Sequence, residues 1–153
     1  EQLTQSLSTK YFIVRTAWVY GEYGPNFVKT MLRLASERDE LGVVSDQIGS
    51  PTYTVDLAAF IIELVQTEKY GIYHCTNSGS CSWYEFAKAI FEESGIEIKV
   101  NPLTTAQYPT PAKRPAYSVL SDVALKLNDF QPIRHWRDGL KAFLNNAKNN
   151  NLS

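Results

Sequence analysis

The chain has 153 residues, which is enough for one domain with its own hydrophobic core. Hydrophobic residues make up 44% and charged residues 20%, as in an ordinary globular protein, and no apolar run is long enough to span a membrane. The net charge is −1, and acidic and basic residues are mixed along the chain. A nucleic-acid binder would instead be expected to carry an excess of positive charge. We therefore expect neither nucleic acid nor a membrane among its partners.

The cysteines and histidines of the chain are few. Cys75 and Cys81, together with His74 and His135, do not have the spacing of a zinc site. Reduced, partly buried thiols are typical of a cytoplasmic protein, so this is the compartment that we expect.

The predicted elements begin with a polar segment, residues 1–8, which looks like the tail of a helix whose start is missing. Residues 11–14 form a continuous apolar run, which predicts a strand buried on both faces of a parallel sheet. The Gly24-Pro25-Asn26 stretch then stops the chain, and Asn26 can cap a helix whose apolar face starts at Phe27.

A polar segment, residues 46–52, lies between a second predicted strand, 41–44, and a helix, 54–66. Gly49 and Pro51 indicate a turn. Asp46 and Gln47 follow the end of the strand, which is where open α/β sheets present ligand-binding groups. The helix is apolar nearly all round, so it should be well buried, and Thr54 is predicted to cap it.

The second half continues the alternation of strands and helices. A strand over 71–75 precedes a helix that begins at the capping box Ser82 and Glu85, and 97–100 is a weak edge strand. Prolines exclude a long helix from 102–115, Ser121 can cap a short helix through 127, and a last amphipathic helix begins at Trp136. The Asn-rich end should fray. This order predicts an α/β fold with a mostly parallel sheet.

One Tyr-x-x-x-Lys pair, Tyr84 and Lys88, has the spacing of the catalytic pair of short-chain dehydrogenases. Tyr84 falls in the first turn after the Ser82 cap, among residues that should face a core, so we assign it no catalytic role. No Gly-x-x-Gly-x-x-Gly turn follows a leading strand, so the chain lacks a phosphate-cradling turn for a dinucleotide.

Six strings, in order, resemble the C-terminal half of the dTDP-4-dehydrorhamnose reductases. They are RTAWVYG (15–21), NFVKTML (26–32), VVSDQIGSPT (43–52), GIYH (71–74), SWYEFA (82–87) and YPTPAKRP (108–115). The resemblance implies the C-terminal part of a Rossmann-like parallel sheet plus a small α/β substrate-binding region. It also implies NADPH-dependent reduction of dTDP-4-dehydro-6-deoxy-L-mannose (dTDP-4-dehydrorhamnose) to dTDP-L-rhamnose, for polysaccharide biosynthesis.

In that family the Rossmann half and the catalytic Tyr and Lys lie N-terminal to the first of these strings. The resemblance therefore implies that residues 1–153 are the mainly substrate-binding, C-terminal portion, with the NADPH-binding half outside the chain. We accordingly expect no catalytic and no cofactor-binding residue within it, and no turnover by the chain alone.

Five residues match positions that the resemblance places around the dTDP-sugar substrate. Trp18 would contact the sugar through its indole face and N–H. Asn26 and Phe27 would lie near the nucleotide sugar, Gln47 would border the pocket, and the Arg114 guanidinium would bind the diphosphate. From the residues alone, Trp18 is equally well a core tryptophan, Asn26 a helix cap and Arg114 a solvated loop charge.

Some members of the family bind Mg²⁺ at a subunit contact through a glutamate just after the Pro-Thr pair. The aligned residue is Val55, which cannot ligate a hard cation, so we doubt a Mg²⁺ site. The sequence leaves a homodimer open. It also leaves two alternatives: another nucleotide-sugar epimerase or dehydratase, against which the 46–52 string argues, and a non-catalytic regulatory subunit related to these reductases.

Overall fold

The computed structural model describes residues 1–112 and 114–149. It contains a single 3₁₀ turn in these ranges, Thr105–Gln107, and the following helices: α1 (Gln2–Leu7), α2 (Phe27–Glu37), α3 (Thr54–Val65), α4 (Trp83–Ser94), α5 (Val123–Leu127) and α6 (Trp136–Asn149). The strands are short: β1 (Phe12–Arg15), β2 (Val19–Tyr20), β3 (Glu40–Val44), β4 (Ile48–Gly49), β5 (Thr52–Tyr53), β6 (Gly71–His74), β7 (Cys81–Ser82) and β8 (Lys99–Leu103).

Three of the strand pairs are parallel and one is antiparallel. β1 pairs with β6, β2 with β5 and β3 with β8, all in parallel, whereas β4 and β7 are antiparallel. Each parallel pair is separated in sequence by at least one helix, as a crossover connection requires. The predicted α/β class with mostly parallel pairing is confirmed.

Two helix starts follow from side-chain caps that the sequence makes visible. The Asn26 side chain accepts a hydrogen bond from the Lys29 amide at 3.1 Å, which begins α2. The Ser82 hydroxyl accepts from the Glu85 amide at 3.1 Å, and the Glu85 carboxylate accepts from the Ser82 amide at 2.7 Å. Both predicted caps are confirmed, and they set where the aromatic residues Phe27 and Trp83 stand.

The apolar side chains form two separate clusters. The large core lies between α2, α4 and α6 and the strands beside them, and includes Val28, Met31, Phe86, Ile90, Leu140 and Phe143. The small core lies between α3, α5 and β6, and consists of Phe60, Leu64, Tyr73, Cys75, Leu125 and Phe130.

Two predictions of burial are wrong. Residues 11–14 are only half-buried, because β1 has a strand partner, β6, on one side only within the part of the chain that the structure describes. In α3 the inner face contributes to the small core, but Val55, Ile62 and Val65 are 50%, 59% and 56% exposed. An apolar pattern all round a helix shows which faces could be buried, but it does not show that something covers each of them.

Two predicted caps and one strand are displaced. Thr54 does not cap α3, because the cap position is Tyr53 and has no side-chain bond, and the Thr54 side chain instead lies against the Gly21 backbone. α5 begins one residue later than predicted, after Asp122. β8 runs from Lys99 to Leu103 rather than over 97–100. The predicted frayed end lies largely at 150–153, outside the described residues.

Candidate functional site

The segment 46–52 is a crossing point of backbone pairings and not the simple turn predicted from its residues. β4 pairs with β7 so that Gly49 lies opposite Cys81. β5 pairs with β2, and the Thr52 amide donates to the Trp18 carbonyl at 3.0 Å. The Ser50 hydroxyl donates to the Gly79 carbonyl at 2.7 Å. These bonds hold the segment against two other parts of the chain, residues 18–20 and residues 79–82.

Trp18 lies at this crossing point in an unusual backbone conformation. Its φ is +51°, the left-handed region, which a bulky residue adopts only when its surroundings enforce it. The indole stacks on that of Trp83, with ring centroids 3.5 Å apart and planes 10° apart. A methyl group built on Gly49 would come within 2.3–2.6 Å of Cε2, Cζ2 and Nε1 of Trp18, so the Gly49 backbone lies against the same indole.

Phe27 and Asn26 adjoin this stack at the start of α2. The Phe27 ring lies 4.6 Å from that of Trp83, tilted by 48°, so Trp18, Trp83 and Phe27 form one half-buried aromatic cluster. The amide group of Asn26 is engaged on both sides: its Oδ1 caps the helix, and its Nδ2 donates to the Gly21 carbonyl at 2.9 Å. Asn26 therefore fixes the loop that leads into Phe27.

Gln47 is buried and reaches the start of the loop after β8. Its Nε2 donates to the Thr105 hydroxyl at 3.0 Å. That hydroxyl donates to Asp46 Oδ1 at 2.7 Å, and the Thr105 amide donates to both Asp46 oxygens at 2.9 Å. The backbone N–H of Thr105, and then its hydroxyl, hold the pKa of Asp46 below its ordinary value. We call this contact the Asp46–Thr105 clasp.

The far end of the same loop is also tied to this segment. The Ile48 amide donates to the Ala116 carbonyl, and the Ser118 amide donates to the Ile48 carbonyl, both at 2.8 Å. The first residue of the stretch 105–116 is thus bonded to residue 46, and the last is bonded to residue 48. Arg114 lies near the second of these ends in the sequence. Arg114 is exposed and forms no hydrogen bond or ion pair with residues 1–112 or 115–149.

Of the five residues predicted to bind substrate, the structure places Trp18 and Phe27 in the aromatic cluster, with Asn26 beside it. It places Gln47 at the base of the loop that carries Arg114. Trp83 and Thr105 were missed. The stack of Trp83 with Trp18 joins residues 65 positions apart, which no local pattern reveals.

A buried polar network supports the same segment from behind. Asn77 is fully buried; its Oδ1 accepts from the Tyr53 amide at 2.8 Å, and its Nδ2 donates to Asp56 Oδ2 at 2.7 Å. Arg134 donates to both oxygens of Asp56, at 2.8 and 2.6 Å. Burial, and the nearby Asp56 charge, raise the pKa of Tyr20 well above its ordinary value. This network fixes β5 and therefore the end of the 46–52 segment.

Neither a metal site nor a membrane span is apparent over the described ranges. No group of three or more His, Cys, Asp or Glu residues within 1–112 and 114–149 could hold a metal ion. No helix in these ranges is both long enough and apolar enough to cross a membrane.

Helices packed beside short, mostly parallel strand pairs define the class of α/β domains. The chain belongs to the family described as the RmlD substrate binding domain, whose sequence model matches residues 1–149. The resemblance to the dTDP-4-dehydrorhamnose reductases is confirmed.

Similar proteins agree with this assignment. The chain is 54% identical, over 144 residues, to the spore coat polysaccharide biosynthesis protein SpsK of Bacillus subtilis. This match covers 94% of the chain and 50% of SpsK. It is 54% identical, over 132 residues, to the dTDP-4-dehydrorhamnose reductase of Aggregatibacter actinomycetemcomitans, covering 78% of the chain and 45% of that protein. The chain thus spans about half the length of the curated relatives that it matches.

A solved structure gives the same result. The crystal structure of the dTDP-4-dehydrorhamnose reductase of Bacillus anthracis in complex with NADP has a TM-score of 0.89 and 50% identity to this chain. The match covers 94% of this chain and 50% of that one.

Proposed function

We propose that residues 1–153 are the C-terminal, mainly substrate-binding portion of an NADPH-dependent reductase. The reaction is the reduction of dTDP-4-dehydrorhamnose to dTDP-L-rhamnose, and this chain supplies the nucleotide-sugar pocket. The observation that supports this most directly is Trp18, held at φ +51° in an aromatic cluster and against Gly49, two residues after the buried Gln47, within a family named for substrate binding. We propose the cytoplasm as the compartment.

The roles that we propose follow from the chemistry of each side chain. Trp18 and Phe27 offer aromatic surface and edges, which suit a sugar ring or a pyrimidine base. Gln47 keeps an amide oxygen available after its Nε2 has bonded to Thr105. Arg114 is an exposed fork of donors on the loop anchored at residues 46 and 48, and its geometry suits a diphosphate.

The cofactor would be held mainly outside this chain. None of the described helices follows a Gly-x-x-Gly-x-x-Gly turn, so these residues do not fit the phosphates of NADPH. In the proposed reaction NADPH would supply the hydride that reduces the sugar. Within the proposed enzyme, residues 1–153 bind and orient the sugar, while the proton donor and the cofactor cradle belong to the additional length that the relatives have.

The test compares the full-length protein, as its host makes it, with residues 1–153 alone. Both are assayed for NADPH oxidation that depends on dTDP-4-dehydrorhamnose. We expect turnover by the full-length protein and none by residues 1–153, which lack a cofactor cradle. Full-length protein that binds the dTDP-sugar without oxidising NADPH would favour the regulatory subunit, and turnover by residues 1–153 would contradict the division of roles.

The role of Arg114 is tested by Arg114→Ala in the full-length protein. Loss of a charge-assisted contact to the diphosphate should raise the Kd for the dTDP-sugar about tenfold. Arg33→Ala is the matched control, because Arg33 is also exposed but pairs with Glu37 on the outside of α2. Equal affinities for the two variants would remove Arg114 from the site.

A further inference from the structure

Trp18 is inserted in a slot whose two walls come from different parts of the chain. Trp83 is centred over one face of the Trp18 indole at 3.5 Å. The Gly49 backbone contacts three adjacent ring atoms of the same indole, and since the first face is occupied, this contact is on the second. Both faces of Trp18 are therefore covered by protein.

Backbone pairing fixes the width of this slot. The antiparallel pair of β4 and β7 places Gly49 opposite Cys81, two residues before Trp83. The Ser82–Glu85 capping box then fixes the direction in which α4 leaves the strand, and with it the position of Trp83 at the first helical residue. Only a residue without a side chain leaves room for an aromatic ring between these walls.

The inserted ring is held by its own backbone as well. The Trp18 carbonyl accepts from the Thr52 amide at 3.0 Å, directly before β2 pairs with β5. The φ of +51° lies in the left-handed region, which a residue of this size adopts only under constraint, so the surroundings of Trp18 hold it there. A tryptophan needed only to fill the core would not require this conformation, and Trp18 remains half-buried.

We infer that Trp83 is a positioning residue for substrate recognition. Together with Gly49 it clamps the Trp18 indole so that the sugar meets the edge of the ring, and not its face. This inference rests on the proposed function and corrects the face-on contact expected from the sequence. Trp83 acts through Trp18, and the substitution of either wall should displace the same ring.

The first part of the test is spectroscopic and needs no substrate. Two indoles stacked this closely couple their electronic transitions. When the two transition dipoles are skewed within the stack, the coupling produces paired bands of opposite sign in the far-ultraviolet circular dichroism spectrum. In the full-length protein we expect Trp83→Leu to abolish this couplet. Trp136→Phe is the control: it removes a buried indole that meets Phe86 edge-on at 5.8 Å, outside the slot, and should leave the couplet unchanged.

The second part is kinetic. Trp83→Leu should raise KM for dTDP-4-dehydrorhamnose about tenfold while leaving KM for NADPH unchanged, because a misplaced contact weakens the binding of one substrate only. Trp83→Phe retains a ring and should restore most of the affinity. Gly49→Ala changes the opposite wall of the slot, because its new methyl group would displace the Trp18 ring. This variant should raise the KM for dTDP-4-dehydrorhamnose as well, even if Trp83→Leu fails to fold.

The outcomes separate this inference from the proposed function. If the wild-type protein reduces the sugar but Trp83→Leu loses the couplet without a change in the sugar KM, Trp83 is merely structural and the inference is overturned alone. If the wild-type protein shows no reduction of the sugar, the proposed function fails, and the inference fails with it.

Discussion

At the scale of single residues, Gly139 marks the place where α6 passes closest to the buried polar network. A methyl group built there would lie 3.1 Å from Asn77 Nδ2, 3.2 Å from Asp56 Oδ2 and 3.3 Å from the Tyr20 hydroxyl. In an ordinary helix, Gly→Ala stabilises by about 1 kcal/mol. Here an apolar group would crowd three polar atoms, two of which, Asn77 Nδ2 and Asp56 Oδ2, are already held by hydrogen bonds, so we expect Gly139→Ala to lower the free energy of unfolding by about 1–2 kcal/mol.

Urea unfolding of residues 1–153 measures this difference. Asn145→Ala is the control, since Asn145 is exposed on the same helix and its replacement should gain a few tenths of a kcal/mol from helix propensity alone. If Gly139→Ala were as stabilising as the control, the network would have room to yield, and the close approach would have no energetic consequence.

The same scale shows what the sequence could and could not reveal about the site. Asn26 was predictable in its capping role, because the cap and its partner lie three residues apart. Trp18 was predictable as a candidate only through the family resemblance. The contacts that cover both faces of the Trp18 indole were not predictable, because they are made by Gly49 and Trp83, which are 31 and 65 positions away in the sequence.

At the scale of elements, the Asp46–Thr105 clasp should respond to pH. Hydrogen bonds from Thr105 stabilise the ionised carboxylate, so the folded pKa of Asp46 lies below its ordinary value of 3.8. The clasp is therefore fully formed above that value and is lost as the pH falls through the lower, folded pKa. By NMR, the Thr105 amide resonance should titrate with a midpoint below 3.8, and Asp46→Asn should remove the titration.

Loosening of the clasp should be visible along the loop as well. In Asp46→Asn at neutral pH, we expect faster amide hydrogen exchange around Thr105, because one anchor of the loop is weakened. Exchange at Ser118 should change little, since that end is held by Ile48. A Thr105 midpoint at or above 3.8 would mean that the carboxylate gains nothing from these bonds.

The elements also differ in how well the sequence predicted them. α2 and α4 carry side-chain caps and an apolar stripe, so residues close together in the sequence were sufficient to predict both helices. β4 and β5 have two residues each, too few to show any alternation, and they exist because β7 and β2 are available to pair with them. The exposure of α3 depends on what lies beside it, which is a property of the whole fold.

At the scale of the whole molecule, the two cores should differ in stability. The large core is enclosed by three helices. The small core lies between α3, the short α5 and β6, and the outer face of α3 is exposed. Each core contains one buried cysteine: Cys81 in the large core and Cys75 in the small core. The two thiols can therefore report separately on the opening of each core.

Both thiols should be unreactive in the folded chain. Burial raises the pKa of each to about 12, so almost no thiolate exists near neutral pH, and modification requires that the surrounding core opens. In residues 1–153 at increasing urea, we expect the Cys81→Ala variant, which retains Cys75, to be labelled at lower urea than the Cys75→Ala variant.

The reason for this order is that opening the small core exposes less apolar surface and so costs less free energy. Measuring the unfolding of each variant by circular dichroism under the same conditions separates this effect from any destabilisation by the substitution. Identical labelling midpoints for the two cysteines would show that the two cores open together as one cooperative unit. In that case the polar contacts of Asp56 and Asn77, which link α3 to the strands of the large core, would couple them more strongly than their separate apolar packing suggests.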